Sequence, residues 1–159
     1  MSIRKLLDDE RTWVNDFIAN YWGSKQILVH NEKYVPGDLE GFIAENNEKK
    51  IGLLTYRIQE KSCEIVTLNS TIEHCGFGRE LVKSVIEEAK LQGCEILWVV
   101  TTNDNIRAIE FYQKLGFQLI MVYPDAVNYY RKIKHEIPVT AENGIPIRDE
   151  LEFVLRLSA

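Results

Sequence analysis

Two glycines separated by one residue, Gly76 and Gly78, stand between a strand-like run and a helix-like run. Upstream, Glu64-Ile-Val-Thr-Leu-Asn-Ser70 is apolar and β-branched. Downstream, from Arg79 to Leu91, the residues Leu81, Val82, Val85, Ile86 and Ala89 recur at helical spacing. A strand that turns over a glycine pair into a helix leaves backbone N–H groups uncovered at the helix N-terminus, and such groups hold phosphate well. Taken alone, the pair fits a tight loop equally well. A Walker loop is excluded because no Gly-Lys-Ser/Thr follows. A dinucleotide fingerprint is excluded because its third glycine would fall on Leu81.

The flanking chain supplies the rest of the architecture. Ser2 to Leu6 alternates as a strand does, and residues 9–21 place Trp13, Phe17, Ile18 and Tyr21 at helical spacing. Lys25 to His30 reads as a short strand and Asn31 to Asp38 as a loop. Strands at 41–45, 51–56 and 63–70 with short polar turns predict an antiparallel meander. After Gly78 the pattern becomes helix, strand, helix, strand. Ile96 to Val100 is uniformly apolar, as in a strand covered on both faces. Asn103-Asp-Asn105 offers capping residues to a helix carrying Ala108, Phe111, Tyr112 and Leu115, which Gly116 ends. Phe117 to Tyr123 is a further strand, Ala126 to Lys134 a short helix and Glu150 to Leu157 a last strand. This is a mixed α/β sheet with helices on its faces.

Composition narrows the function. A chain of 159 residues predicts one domain, 1–159. A net charge of −5 disfavours nucleic-acid binding. No run approaches a membrane span, and the N-terminal residues lack a secretory core, so no membrane partner is expected. Cys63, Cys75 and Cys94 fit reduced thiols in a cytoplasmic protein, and no metal-ligand spacing is present.

A second segment gives the glycine pair its meaning. Thr101 to Phe117 contains Asn105, Ala108, Phe111, Tyr112, Gly116 and Phe117 in the spacing N-x-x-A-x-x-F-Y-x-x-x-G-F. Together with Glu73-His-Cys-Gly76-Phe-Gly78, set against the pattern Q/R-x-x-G-x-G/A, the chain resembles the GNAT superfamily of acyl-CoA-dependent N-acetyltransferases. The resemblance covers Ile51 to Tyr123. It implies a mixed, mostly antiparallel central sheet of six to seven strands flanked by helices, with a splayed central strand pair. The acyl-CoA core is expected over about 51–123, with a C-terminal helix, loop and last strand over about 124–157. It further implies acetyl transfer from acetyl-CoA to a primary amine, with no metal.

Residue by residue, the resemblance implies that the phosphate loop is His74, Cys75, Gly76, Phe77, Gly78, Arg79 and Glu80. The pantetheine arm would run along Leu68, Asn69 and Ser70, whose backbone N–H groups would polarise the carbonyl. Asn105, Ala108, Phe111 and Tyr112 would complete the cofactor site. Tyr112 is the expected general acid for the departing thiolate, against the alternative of a core tyrosine. Asn105 would bond the cofactor's arm, cap its helix, or both. The departure is Glu73, where the family most often has Arg or Gln; it either points outward or acts as a base or acceptor contact. Arg79 would compensate at the phosphates.

Other base candidates are His74, Asp104 and Asp125, while Trp22, Trp98 and Tyr56 line an acceptor pocket or pack the core. Arg148 and Asp149 form a buried pair or an interface. The rival function is a non-catalytic acyl-CoA-binding module. A homodimer is left open.

Overall fold

A computed structural model describes residues 1–24, 26–71 and 76–157. The chain runs β1 (Ser2–Lys5), α1 (Arg11–Trp22), β2 (Ile27–Val29), β3 (Glu32–Tyr34), β4 (Glu40–Asn46), β5 (Lys49–Gln59), β6 (Ser62–Ser70), α2 (Phe77–Leu91), β7 (Ile96–Thr102), α3 (Ile106–Lys114), β8 (Gln118–Tyr123), α4 (Ala126–Arg131) and β9 (Glu150–Arg156). Among the described residues, seven strands form one sheet in the order β1-β4-β5-β6-β7-β9-β8. Every neighbouring pair is antiparallel except β6 with β7. The single parallel step follows from the crossover through α2, which returns the chain to the starting edge of β6.

Apolar side chains alternate to both faces, so two cores form. Under α2 and α3 lie Leu54, Ile65, Leu81, Val85, Leu97, Val99 and Phe153. On the opposite face, Val14, Phe17 and Ile18 of α1 pack with Ile27, Val29 and Tyr34 against Ile43, Leu53 and Val66. The last strand splits its residues as its alternation predicts, with Leu151, Phe153, Leu155 and Leu157 all joining the first core. Gly23, at φ +74, ends α1 and donates its N–H to the Ala19 carbonyl.

Two expectations change, and two open alternatives resolve. Asn31 to Asp38 is not wholly loop, because β3 pairs with β2 as a hairpin over the second core. His30 and Asn31 make its turn at φ 49° and 62°, the two positive values a tight hairpin turn demands. The helix after the glycine pair starts at Phe77 rather than Arg79. Tyr56 takes the core alternative, buried and stacked on Phe42 at 5.8 Å, and is not on the lining of the cleft between β6 and β7. The tail pair is split in exposure: Asp149 is buried and accepts from Arg148 Nε at 2.8 Å, whereas Arg148 is exposed. On the edge strand β8, Leu119 to Val122 are exposed on both faces.

Candidate active site

The central strands β6 and β7 part halfway along. They share four register pairs, ending at Ile65 opposite Val99. Beyond that point β6 stays on β5, with Ser70 opposite Gly52, while β7 stays on β9, with Thr102 opposite Glu150. The separation has a local cause. Thr55 pairs with Thr67 and Tyr56 with Ile65, so Val66 is an extra residue in β6. Such a bulge bends the strand that carries it. Thr55 and Thr67 hold the far side of the bulge through buried hydroxyls 2.6 Å apart.

A cleft of about 800 Å³ fills the opening. One wall is Leu68, Asn69 and Ser70 at the end of β6; the other is Val99, Val100 and Thr101. The inner edges of the parted strands have no strand between them, so their peptide groups are available to an extended arm.

The start of α2 closes one end. Gly76 caps the helix in the left-handed region, at φ 79°, where a Cβ would strain the backbone. Its carbonyl accepts from Glu80 N at 3.1 Å. The N–H groups of Phe77, Gly78 and Arg79 therefore have no partner within the helix, and all three residues line the cleft. Gly78 serves a different need: a Cβ there would lie 3.4 Å from Phe111 Cζ, so α2 and α3 approach closely at that point. Arg79, Arg107 and Lys114 add cationic side chains to the lining, with Lys114 paired to Glu110 at 2.7 Å. Helix dipole and cations together favour a polyanion at this end.

Asn105, Ala108, Phe111 and Tyr112 of the second signature line the same cleft. Asn105 caps α3, accepting from Ala108 N at 3.1 Å. Tyr112 is buried among Phe111, Phe117 and Phe153, with ring centroids 5.2, 5.3 and 6.3 Å away. Burial pushes its phenol above the ordinary value, because the anion would lose its hydration. The hydroxyl thus stays protonated, a donor, throughout the physiological range.

Of the expected cofactor contacts, Glu80 is not on the lining; its carboxylate turns to Lys83 at 3.4 Å. Glu73, His74 and Cys75 lie outside the described residues. Asp125 is exposed, 3.7 Å from Arg148. Asp104 is half-buried in the turn before α3 and is not on the lining either.

Trp22 does line the cleft, and its indole N–H donates to Asn69 Oδ1 at 3.1 Å. Tyr21 beside it, at the end of α1, also lines the cleft, a place its helical spacing with Trp13, Phe17 and Ile18 does not signal. Arg107 and Lys114 were also missed; their signal was their place on the exposed face of the helix that Asn105 opens.

Known proteins share both the sequence and the shape. The model of the "Acetyltransferase (GNAT) family" matches residues 3–117. The uncharacterized protein YdhI of Bacillus subtilis is 45% identical over 141 residues, covering 88% of each chain. A GNAT family acetyltransferase from Elizabethkingia anophelis, solved with acetyl-CoA bound, superposes with a TM-score of 0.69 at 20% identity, over 98% of this chain and 97% of that one. A Bacillus subtilis acetyltransferase in complex with CoA gives 0.67 at 22% identity, over 98% and 99%. With the paired signatures on one cleft and the family match across most of its length, this chain belongs to the GNAT family of acetyltransferases.

Proposed function

We propose that the protein is an N-acetyltransferase that moves the acetyl group of acetyl-CoA directly onto a primary amine. The observation that carries this reading is the meeting of the Gly76–Gly78 helix start, the parted strands and Tyr112 on a single cleft. The CoA and acetyl-CoA bound to two proteins of the same fold support the choice of cosubstrate.

The pyrophosphate sits at the N-terminus of α2, near Arg79 and Arg107. The pantetheine arm lies along Leu68 to Ser70 and brings the thioester between the parted strands. The ammonium sheds one proton, and its lone pair forms the C–N bond at the thioester carbon. The tetrahedral adduct collapses as the C–S bond breaks, its electron pair going to sulfur. Nitrogen loses a second proton and the thiolate gains one, leaving acetamide, CoA thiol and one released proton. Tyr112 hydrogen-bonds the developing thiolate and protonates it. Backbone N–H groups near Leu68 to Ser70 stabilise the oxyanion.

A purely acyl-CoA-binding module would have no use for a buried phenol on the cleft, so Tyr112 favours the enzyme. The test is thiol release from acetyl-CoA over a panel of amines. Amine-dependent release supports transfer; tight acetyl-CoA binding without release for any amine supports the binding module.

A further inference from the structure

Behind the cleft, on the sheet face that carries α1 and the β2–β3 hairpin, the strands bear carboxylates where a half-buried sheet would carry apolar residues. Glu64 and Glu150 are 3% and 4% exposed. Glu152 lies on the same face as Glu150, two residues along β9. His30, at the tip of the hairpin, joins them: its backbone N–H donates to Glu150 Oε2 at 3.2 Å, and its ring Nε2 lies 3.9 Å from Glu152 Oε1. Its ring stands edge-on to Trp98 and Tyr123, at 5.5 and 4.8 Å.

The tyrosines here satisfy only part of this acceptor capacity. Tyr34 donates to Glu64 Oε1 at 2.6 Å, Tyr130 to Glu150 Oε1 at 2.8 Å and Tyr123 to Glu152 Oε1 at 2.6 Å. Glu64 Oε2 is buried and has no hydrogen-bond partner among the described residues. A buried carboxylate oxygen without a donor is unfavourable unless something else supplies one. The nearby guanidinium, Arg57, is engaged by Tyr34 at 3.3 Å and Glu32 at 3.6 Å. One carboxylate, Glu152, faces the His30 ring, Glu150 holds the His30 backbone, Glu64 lies on the same face, and the neighbouring walls are aromatic.

The cluster's side chains are not on the cleft lining, but they stand on the strands that form it. Glu152 stands directly opposite Val100, and Glu150 opposite Thr102; directly opposed side chains lie about 5 Å apart at Cβ. Val66 and Val100, both on this face of the sheet, line the cleft. Glu64 and Trp98, themselves in register, sit two residues back along the same strands, about 7 Å away.

We infer that the carboxylate and aromatic cluster of Glu64, Glu150, Glu152, His30 and Trp98 is the acceptor side of the site, and that it selects aliphatic amines carrying a second ammonium group. The inference rests on the acetyl-transfer reading for the fate of the first nitrogen, but the binding of the second is independent of it. Carboxylates hydrogen-bond ammonium groups, and aromatic faces attract them. The carboxylates span from the register of Trp98 to that of Thr102, about 13 Å along the strand, enough to hold one ammonium while another reaches the thioester. An acceptor with a free carboxylate would meet like charge.

Calorimetry on protein saturated with CoA, using putrescine, n-butylamine and 4-aminobutyrate, tests the selectivity without turnover. Putrescine is expected to bind at least tenfold more tightly than n-butylamine, and 4-aminobutyrate more weakly still. In Glu64→Gln and Glu152→Gln the ratio of putrescine to butylamine affinity should collapse towards one, with circular dichroism unchanged. Thiol-release rates on the same amines should follow the same order. Equal affinity for putrescine and butylamine in the native protein, or a ratio unmoved in both variants, overturns the inference. Selective putrescine binding without thiol release upholds the cation site and overturns acetyl transfer instead.

Discussion

Ile65 and Val99 are the last residues that β6 and β7 hold in register. One residue later, at the Val66 bulge, the sheet divides, and the whole site is built in the division. A bulge places the opening at a fixed point of a rigid sheet, so a substrate lying in it would be positioned by strand register rather than by a loop.

The loop glycines should be separable by substitution. Gly76→Val forces a β-branched residue to φ 79°, at about 1–2 kcal/mol, or a melting temperature lower by roughly 3–6 °C. CoA affinity should fall more than tenfold, because the helix N–H groups shift. Gly78→Ala keeps an ordinary φ but presses on Phe111, so the loss in affinity should be smaller. Thermal melts and CoA titrations on both variants check this order.

Tyr112→Phe removes a hydroxyl and no packing. Turnover should fall by about 10²-fold or more while CoA affinity stays within twofold. Steady-state kinetics beside a CoA titration separates the two; equal turnover would assign the proton to another donor.

The glycine pair and the Asn105–Phe117 segment were legible because each is local chemistry: a left-handed cap, a close helix contact, a capping side chain. The acidic cluster was not. Glu64 and Glu150 are 86 positions apart (150 − 64) and fall on alternate strand positions that read as the solvent half of a pattern. The β2–β3 hairpin over Glu64 and the hairpin turn with α4 over Glu150 turn them into interior groups. The hairpin itself was hidden because His30 and Asn31, not glycines, make its turn. Tyr56 stayed open between core and pocket for the opposite reason: an aromatic in a strand looks the same in both.

Two carboxylates should shift acid stability in opposite directions. Glu10 is bound by Arg4 at 2.7 and 2.8 Å, by Lys50 at 2.9 Å and by Leu7 N at 2.9 Å. The Arg4 guanidinium foremost holds its pKa well below the ordinary carboxylate range. Its contribution is present above the unfolded value and is lost as pH falls through the folded one. Glu10→Gln should therefore destabilise by about 2 kcal/mol at pH 7, with the gap narrowing in acid.

Glu64 is the converse, raised chiefly by burial. The protonated form suits the fold, so stability is highest below the unfolded value and declines as pH rises through the folded one. Glu64→Gln should melt about 3 °C above the native protein at pH 8, with the gap closing towards pH 4. Melts of both variants from pH 4 to pH 8 read the two slopes.

The central claim is that the division between β6 and β7 is an acyl-CoA site seated on the start of α2. Isothermal titration of acetyl-CoA into the native protein and into Gly76→Val tests it most directly. The account predicts one site per chain with a micromolar dissociation constant, weakened more than tenfold by the substitution. No heat at millimolar acetyl-CoA, or equal affinity in the variant, would contradict it.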